Sequence, residues 1–177
     1  MSEQPLSGPQ DEAQPQPAAA RRHANGARAL ATLSRFLAEE GWNPRPVGSA
    51  AFTMEYRGEA GAFELRAELL VAAEQLVITA MAPEPVPPPR RAAAAEYLIR
   101  AGWGLYVGAL QLDLDSGAVV ASCGLDFEGE PLSPRLIRNA LAATVRLMEV
   151  YLPGLKAVIA GADPRSAVAQ AERRQSL

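Results

Sequence analysis

The chain has 177 residues and a mass of 18.8 kDa, with 49% hydrophobic and 21% charged residues; it is long enough for one domain to bury a core without disulfides or metal. One Cys and one His exclude a disulfide framework and Cys/His zinc sites within one chain, and His23 lies in a Pro/Gln/Ala-rich segment, so a Ser-His or Cys-His pair would have to recruit a tail residue. A net charge of −3 and a pI near 5.3 argue against direct nucleic-acid binding by bulk charge.

Sixteen of the seventeen basic residues are Arg, a bias that reads as genome composition and carries no function. No apolar run approaches the ~20 residues of a membrane span. The N-terminus lacks the basic-then-apolar layout of a secretory signal, so a cytoplasmic location without membrane attachment is expected.

Residues 1–26 hold scattered Pro, Gln, Ala and charge with almost no large apolar side chains, the composition of a flexible tail. Periodicity begins at Ala27. Leu30, Leu33, Phe36 and Leu37 follow at three- and four-residue steps, predicting an amphipathic helix that ends near Gly41. The run Asn43-Pro44-Arg45-Pro46 breaks it. Beyond it the period changes to two. Phe52, Met54 and Tyr56 form one strand, and Phe63, Leu65, Ala67 and Leu69 a second. Leu76, Ile78 and Ala80 form a third, so residues 52–82 predict an antiparallel meander with one face on a core.

The Pro-rich stretch 83–89 is a stiff connector. A second helix is expected from Pro89 to Ala101. A hairpin then joins strands 105–114 and 118–127 through Asp115-Ser116-Gly117. Ser133-Pro134 opens a third helix with a wide apolar stripe (Leu136, Ile137, Ala140, Leu141, Thr144, Val145, Met148, Tyr151 and Leu152), which Pro153-Gly154 should interrupt. Asp163-Pro164 starts a short terminal helix that frays at Arg173 and Arg174. The expected organisation is a tail over 1–26, an α+β domain over 27–161, and a C-terminal helix and tail over 162–177. The expected element order is α-β-β-β-α-β-β-α around a five-stranded antiparallel sheet.

The run RAGWGLYVGALQLDLDSGAVV (100–120) resembles the pattern RANYGLLLGNFELDFxDGEIR of YbjN-like proteins, labelled bacterial sensory transduction regulators. LSPRLIRNALAATVRLMEVYLPGLKAVIAG (132–161) and ADPRSAVAQAE (162–172) resemble later motifs of that family in order and spacing. The resemblance covers roughly residues 88–172. It implies a type III secretion chaperone-like fold: a homodimer that binds a client protein, with no enzymatic activity and no cofactor. Gly102, Ala109 and Leu110 depart from the family pattern. So do Val120, Ser122 and Gly124, which replace charged or long polar residues.

Several residues could carry chemistry. Asp113 and Asp115, with Asp126 and Glu128 beyond them, could hold a cation or divide acid and base roles, but DxDSG reads better as a turn. Cys123 reads as a small core residue, since no cationic neighbour in sequence lowers its pKa. Arg90, Arg91, Arg135, Arg138 and Arg146 could grip an anion, but scattered helical Arg more often faces solvent. Trp42, Trp103 and Tyr106 follow helix ends. Such aromatics form core rims or binding hot spots, and here they are the candidate partner-binding residues. The function expected is a non-enzymatic adaptor or chaperone-like module that binds a client segment. A regulator in a stress or nucleic-acid-processing pathway, acting through a protein partner, is the alternative, and a carboxylate-dependent enzyme ranks last. The width of the third helix's stripe also suggests a face buried between two subunits.

Overall fold

The first helix, α1 (Ala18–Glu39), lays Ala29, Leu33, Phe36 and Leu37 into the core. The computed structural model describes residues 18–175, so most of the expected tail lies outside the described residues. α1 nevertheless begins at Ala18 rather than Ala27, taking in residues assigned to the tail on composition. Ala and Arg favour helix there, and Asn25-Gly26 is a docking point rather than a breaker. Asn25 donates from Nδ2 to the Glu130 carbonyl at 2.9 Å. A Cβ on Gly26 would collide with the Val71 carbonyl, so only Gly lets the helix approach so closely. The far end closes as a Schellman motif: Trp42 N–H donates to Leu37 O at 3.0 Å, Gly41 N–H donates to Ala38 O at 3.2 Å, and Gly41 adopts a φ of 74°.

The sheet has six antiparallel strands in the order β1-β2-β3-β4-β6-β5, one more than expected. The addition is β1 (Arg45–Val47), formed inside the Asn-Pro-Arg-Pro breaker and pairing Pro46 with Phe52. An edge position makes this possible, because a Pro there need not donate to a neighbour. The meander is β2 (Ala51–Gly58), β3 (Gly61–Leu70) and β4 (Gln75–Met81). β5 (Ala109–Leu112) is shorter than the predicted 105–114, and it pairs Leu110 with Ala121 and Leu112 with Val119 of β6 (Val119–Asp126). The inner face carries Met54, Phe63, Leu65, Ala67, Leu69, Leu76, Ile78, Ala80, Val119, Ala121 and Cys123, all buried. Thr144, buried on the third helix, faces this layer with its hydroxyl 3.4 Å from the Ile78 carbonyl, while donating to Ala140 O of its own helix at 2.9 Å.

The Pro-rich connector is pinned to the β5–β6 turn. Val86 is fully buried, and its N–H donates to Gly117 O at 2.8 Å. Gly117 has a φ of 82° and would set a Cβ against the Val86 backbone. α2 (Arg91–Gly102) follows. α3 (Pro134–Ile159) is capped by Ser133, whose Oγ accepts from Leu136 N–H at 3.3 Å.

α3 runs unbroken through Pro153, contrary to the expected interruption. Ten buried residues along it hold the helix by tertiary packing, which outweighs the one backbone bond that Pro removes. Gly154 serves that packing. Tyr97 of α2 is fully buried against this turn and donates its hydroxyl to the Tyr151 carbonyl at 2.9 Å. α4 (Pro164–Gln175) starts where Asp163 accepts from Ser166 N–H at 2.8 Å, and it buries Ala167, Val168 and Ala171 against α2 and α3. The breadth of α3's stripe is therefore filled within the chain by β4, β6, α2 and α4, and it does not call for a second subunit.

Candidate functional site

The segment joining α2 to β5 is the most apolar exposed surface among the described residues. Trp103 and Tyr106 are 93% and 101% exposed, flanked by Ile99 at 74% and Val107 at 60%. They are not core rim. The backbone beneath them is ordered by short-range bonds: Trp103 N–H donates to Arg100 O at 3.3 Å, and Leu105 N–H to Gly102 O at 3.2 Å. Half-buried Leu105 packs inward. Gly108, with a φ of 80°, sits so close to Ser122 O and the Leu147 side chain that a Cβ would clash with both. The aromatic segment thus leads directly into β5, an edge strand that pairs only with β6.

Trp42 lies elsewhere. Its ring stacks on Tyr56 at 6.3 Å, and Tyr56 tilts onto Phe63 at 4.9 Å. Half-buried Trp42 and Tyr56 border a groove of about 640 Å³, lined also by Glu40, Arg45, Glu55 and Arg57. Burial, then the charges of Glu149 and Glu59, push the Tyr56 phenol above its ordinary pKa. Trp42 stands beside β1 and Trp103 beside β5, so the three candidate aromatics occupy opposite edges of the sheet and do not form one site.

The carboxylates do not converge. Asp113 accepts from the Ser116 hydroxyl and from Asp115 N–H at 3.0 Å and Ser116 N–H at 3.3 Å, which holds its carboxyl below the usual range. Asp126 is at the far end of β6, where it accepts from Glu128 N–H at 2.9 Å and Gln75 Nε2 at 3.2 Å. Among the described residues no group of three or more His, Cys, Asp or Glu is placed to hold a metal. Cys123 is buried in the core, and burial raises its thiol pKa.

Arg91 is a positioning residue. Its guanidinium donates to the carbonyls of Val86 at 3.2 Å and of Leu114 and Asp115 at 2.9 Å. Arg138 pairs with Glu40 at 2.7 Å over the Phe36 ring. Ile99 and Val107 belong to the exposed surface and were not singled out from sequence, although Ile99 stands one helical turn before Trp103. A basic-lined cavity of about 450 Å³ also went unread; Arg21, Arg22 and Arg28 border it with Glu74 and Glu128. Glu74 is buried and accepts from Gly129 N–H at 2.7 Å, a structural bond that fixes the loop before α3.

No protein-family profile matches the sequence, and no curated protein is a significant match. Among solved structures, the chain is similar to one in the HopA1–SchA chaperone–effector complex. They share 22% identity over 71% of this chain and 93% of that one, with a TM-score of 0.47. It is also similar to YbjN from E. coli, with 15% identity over 65% of this chain and 84% of that one and a TM-score of 0.48. No helix among the described residues is long and apolar enough to cross a membrane.

Proposed function

We propose that the chain is a non-enzymatic protein-interaction module of the cytoplasm, an adaptor or chaperone-like protein that acts as a homodimer and holds a segment of a client protein. The observation that carries this reading is the near-complete exposure of Trp103 and Tyr106 beside an open sheet edge. Large aromatics left in water are costly, and they are among the residue types that most often anchor interfaces when covered. An open edge adds main-chain donors and acceptors, so an extended segment can pair with the sheet while its side chains meet the aromatic flank. The groove beside Trp42 and Tyr56, bordered by Glu40, Arg45, Glu55 and Arg57, supplies a second surface of mixed aromatic and charged character at the opposite edge.

The test is affinity capture of the full chain from its host, read by mass spectrometry, beside a Trp103→Ala/Tyr106→Ala variant and a Trp42→Ala variant. A polypeptide recovered with the native chain and lost with either variant supports the reading. Equal recovery by all three contradicts it.

A further inference from the structure

We propose that the cavity against the first turns of α1 binds a small hydroxylated phosphate ester, with Arg21 and Arg28 on the phosphate and the carboxylates of Glu74 and Glu128 accepting from the hydroxyls. The site is separate from the aromatic surface at β5 and goes beyond the reading of the chain as a client-binding module.

The charge beside this cavity is unlike that of the rest of the chain. The whole chain carries −3, yet residues 18–38 hold Arg21, Arg22, Arg28 and Arg35 and no acidic residue. A basic patch on an acidic chain concentrates anions locally. The acids across the cavity do not use that charge up. Glu74 accepts from Gly129 N–H at 2.7 Å, and Glu128 meets Arg22 at 3.4 Å. Among the described residues neither Arg21 nor Arg28 forms an ion pair, and Arg28 makes one long bond, from Nη2 to Asn25 Oδ1 at 3.5 Å.

The walls are fixed from within. Asn25 and Glu74 are 8% and 1% exposed, and they hold the loop after β6 from two sides, Asn25 through the Glu130 carbonyl and Glu74 through Gly129 N–H. Gly129 and Pro131 of that loop line the cavity together with α1. Glu74 keeps its place at a φ of 53°, a left-handed conformation that is uncommon outside Gly.

The lining selects the ligand. Arg21 and Arg28 stand two turns apart, about 10.5 Å along the helix axis, so both can converge on one group. Two guanidiniums without a carboxylate match a dianion, and their planar forks suit phosphate oxygens. No aromatic ring lines the cavity to stack on a base, and ionised Glu74 and Glu128 only accept, which favours a body that donates from hydroxyls. A volume of about 450 Å³ exceeds a bare phosphate and lies in the range of small-molecule sites.

The test is isothermal titration of the full chain, at fixed ionic strength, with ribose phosphorylated on its primary hydroxyl, with inorganic phosphate and with ribose. The ester should bind at least about 10-fold more tightly than inorganic phosphate, and ribose should give no heat. Arg21→Gln and Arg28→Gln should each weaken the ester at least about 10-fold, the loss of one charge-assisted bond. Arg35→Gln, on the same helix but outside the cavity, should leave it unchanged. All three side chains are exposed, so circular dichroism should find the fold kept. No binding of the ester in the millimolar range overturns the proposal. Binding that all three variants weaken alike overturns it too, since that is diffuse attraction to α1, and so does inorganic phosphate bound as tightly as the ester. Neither result bears on client capture at the β5 edge.

Discussion

Substituting Gly154 by Ala inverts an ordinary helix rule. In an exposed helix interior the change stabilises by about 1 kcal/mol, because Gly loses more backbone freedom on folding. Here the added Cβ would fall onto the Tyr97 hydroxyl and within 2.8 Å of Tyr97 Cζ. Tyr97 is fully buried and tied by its hydroxyl to the Tyr151 carbonyl at 2.9 Å, so it has no open space to retreat into. Overpacking of this kind costs about 1–3 kcal/mol, and a strained or broken hydroxyl bond adds about 0.5–1.5 kcal/mol. Against the propensity gain of about 1 kcal/mol, Gly154→Ala should destabilise by about 0.5–3.5 kcal/mol. Tyr97→Phe alone should cost about 1 kcal/mol by deleting the bond. In the Tyr97→Phe background, Gly154→Ala should cost distinctly less, because the nearest clashing atom is gone. Urea denaturation of the four proteins, compared by midpoint at constant m, reads the cycle. A Gly154→Ala chain more stable than the native one, or two effects that simply add, would refute the reasoning.

Arg91→Ala should lower stability by about 1 kcal/mol, since three carbonyls lose a charged donor at a partly exposed site. Arg91→Lys should not restore it, because a single ammonium cannot span carbonyls on both sides; thermal melts of the three proteins decide this. Asp113 is held below the usual carboxylate range, first by the Ser116 hydroxyl and then by the Asp115 N–H. Its contribution is therefore complete above the ordinary carboxylate pKa and is lost as pH falls through the lower folded value. Urea midpoints of Asp113→Asn should lie below native ones near neutrality and converge with them in acid; a constant gap would contradict this. Glu149→Gln should lower the Tyr56 pKa while leaving it above the ordinary phenol value, because burial is the larger cause. Alkaline absorbance titration, with Tyr56→Phe to assign the signal, would show no change if the charge of Glu149 does not act there.

Elements with local chemical signatures were legible in the sequence. Ser133-Pro134 and Asp163-Pro164 mark helix starts because capping is local, and the hairpin register follows from alternating Leu110, Leu112, Val119 and Ala121. Features set by distant contact were not. Asn25-Gly26 and Pro153-Gly154 carry breaker signals, yet both pairs lie inside helices because a neighbouring element needs their close approach. β1 was hidden because Pro is disfavoured in strands generally but tolerated at an edge. The aromatic character of Trp103 and Tyr106 was visible, but their exposure depends on whether another layer covers them, which spacing does not encode. Their separation from Trp42 follows from strand order alone.

Trp103 itself offers the most direct measurement. In a Trp42→Phe chain it is the sole tryptophan, so its emission and its acrylamide quenching report whether that indole stays in water. If this surface holds a client segment, emission should shift to the blue and quenching should fall together as a captured client is titrated in, along the same curve as complex formation. An indole that remains fully quenchable with the client bound would contradict the account.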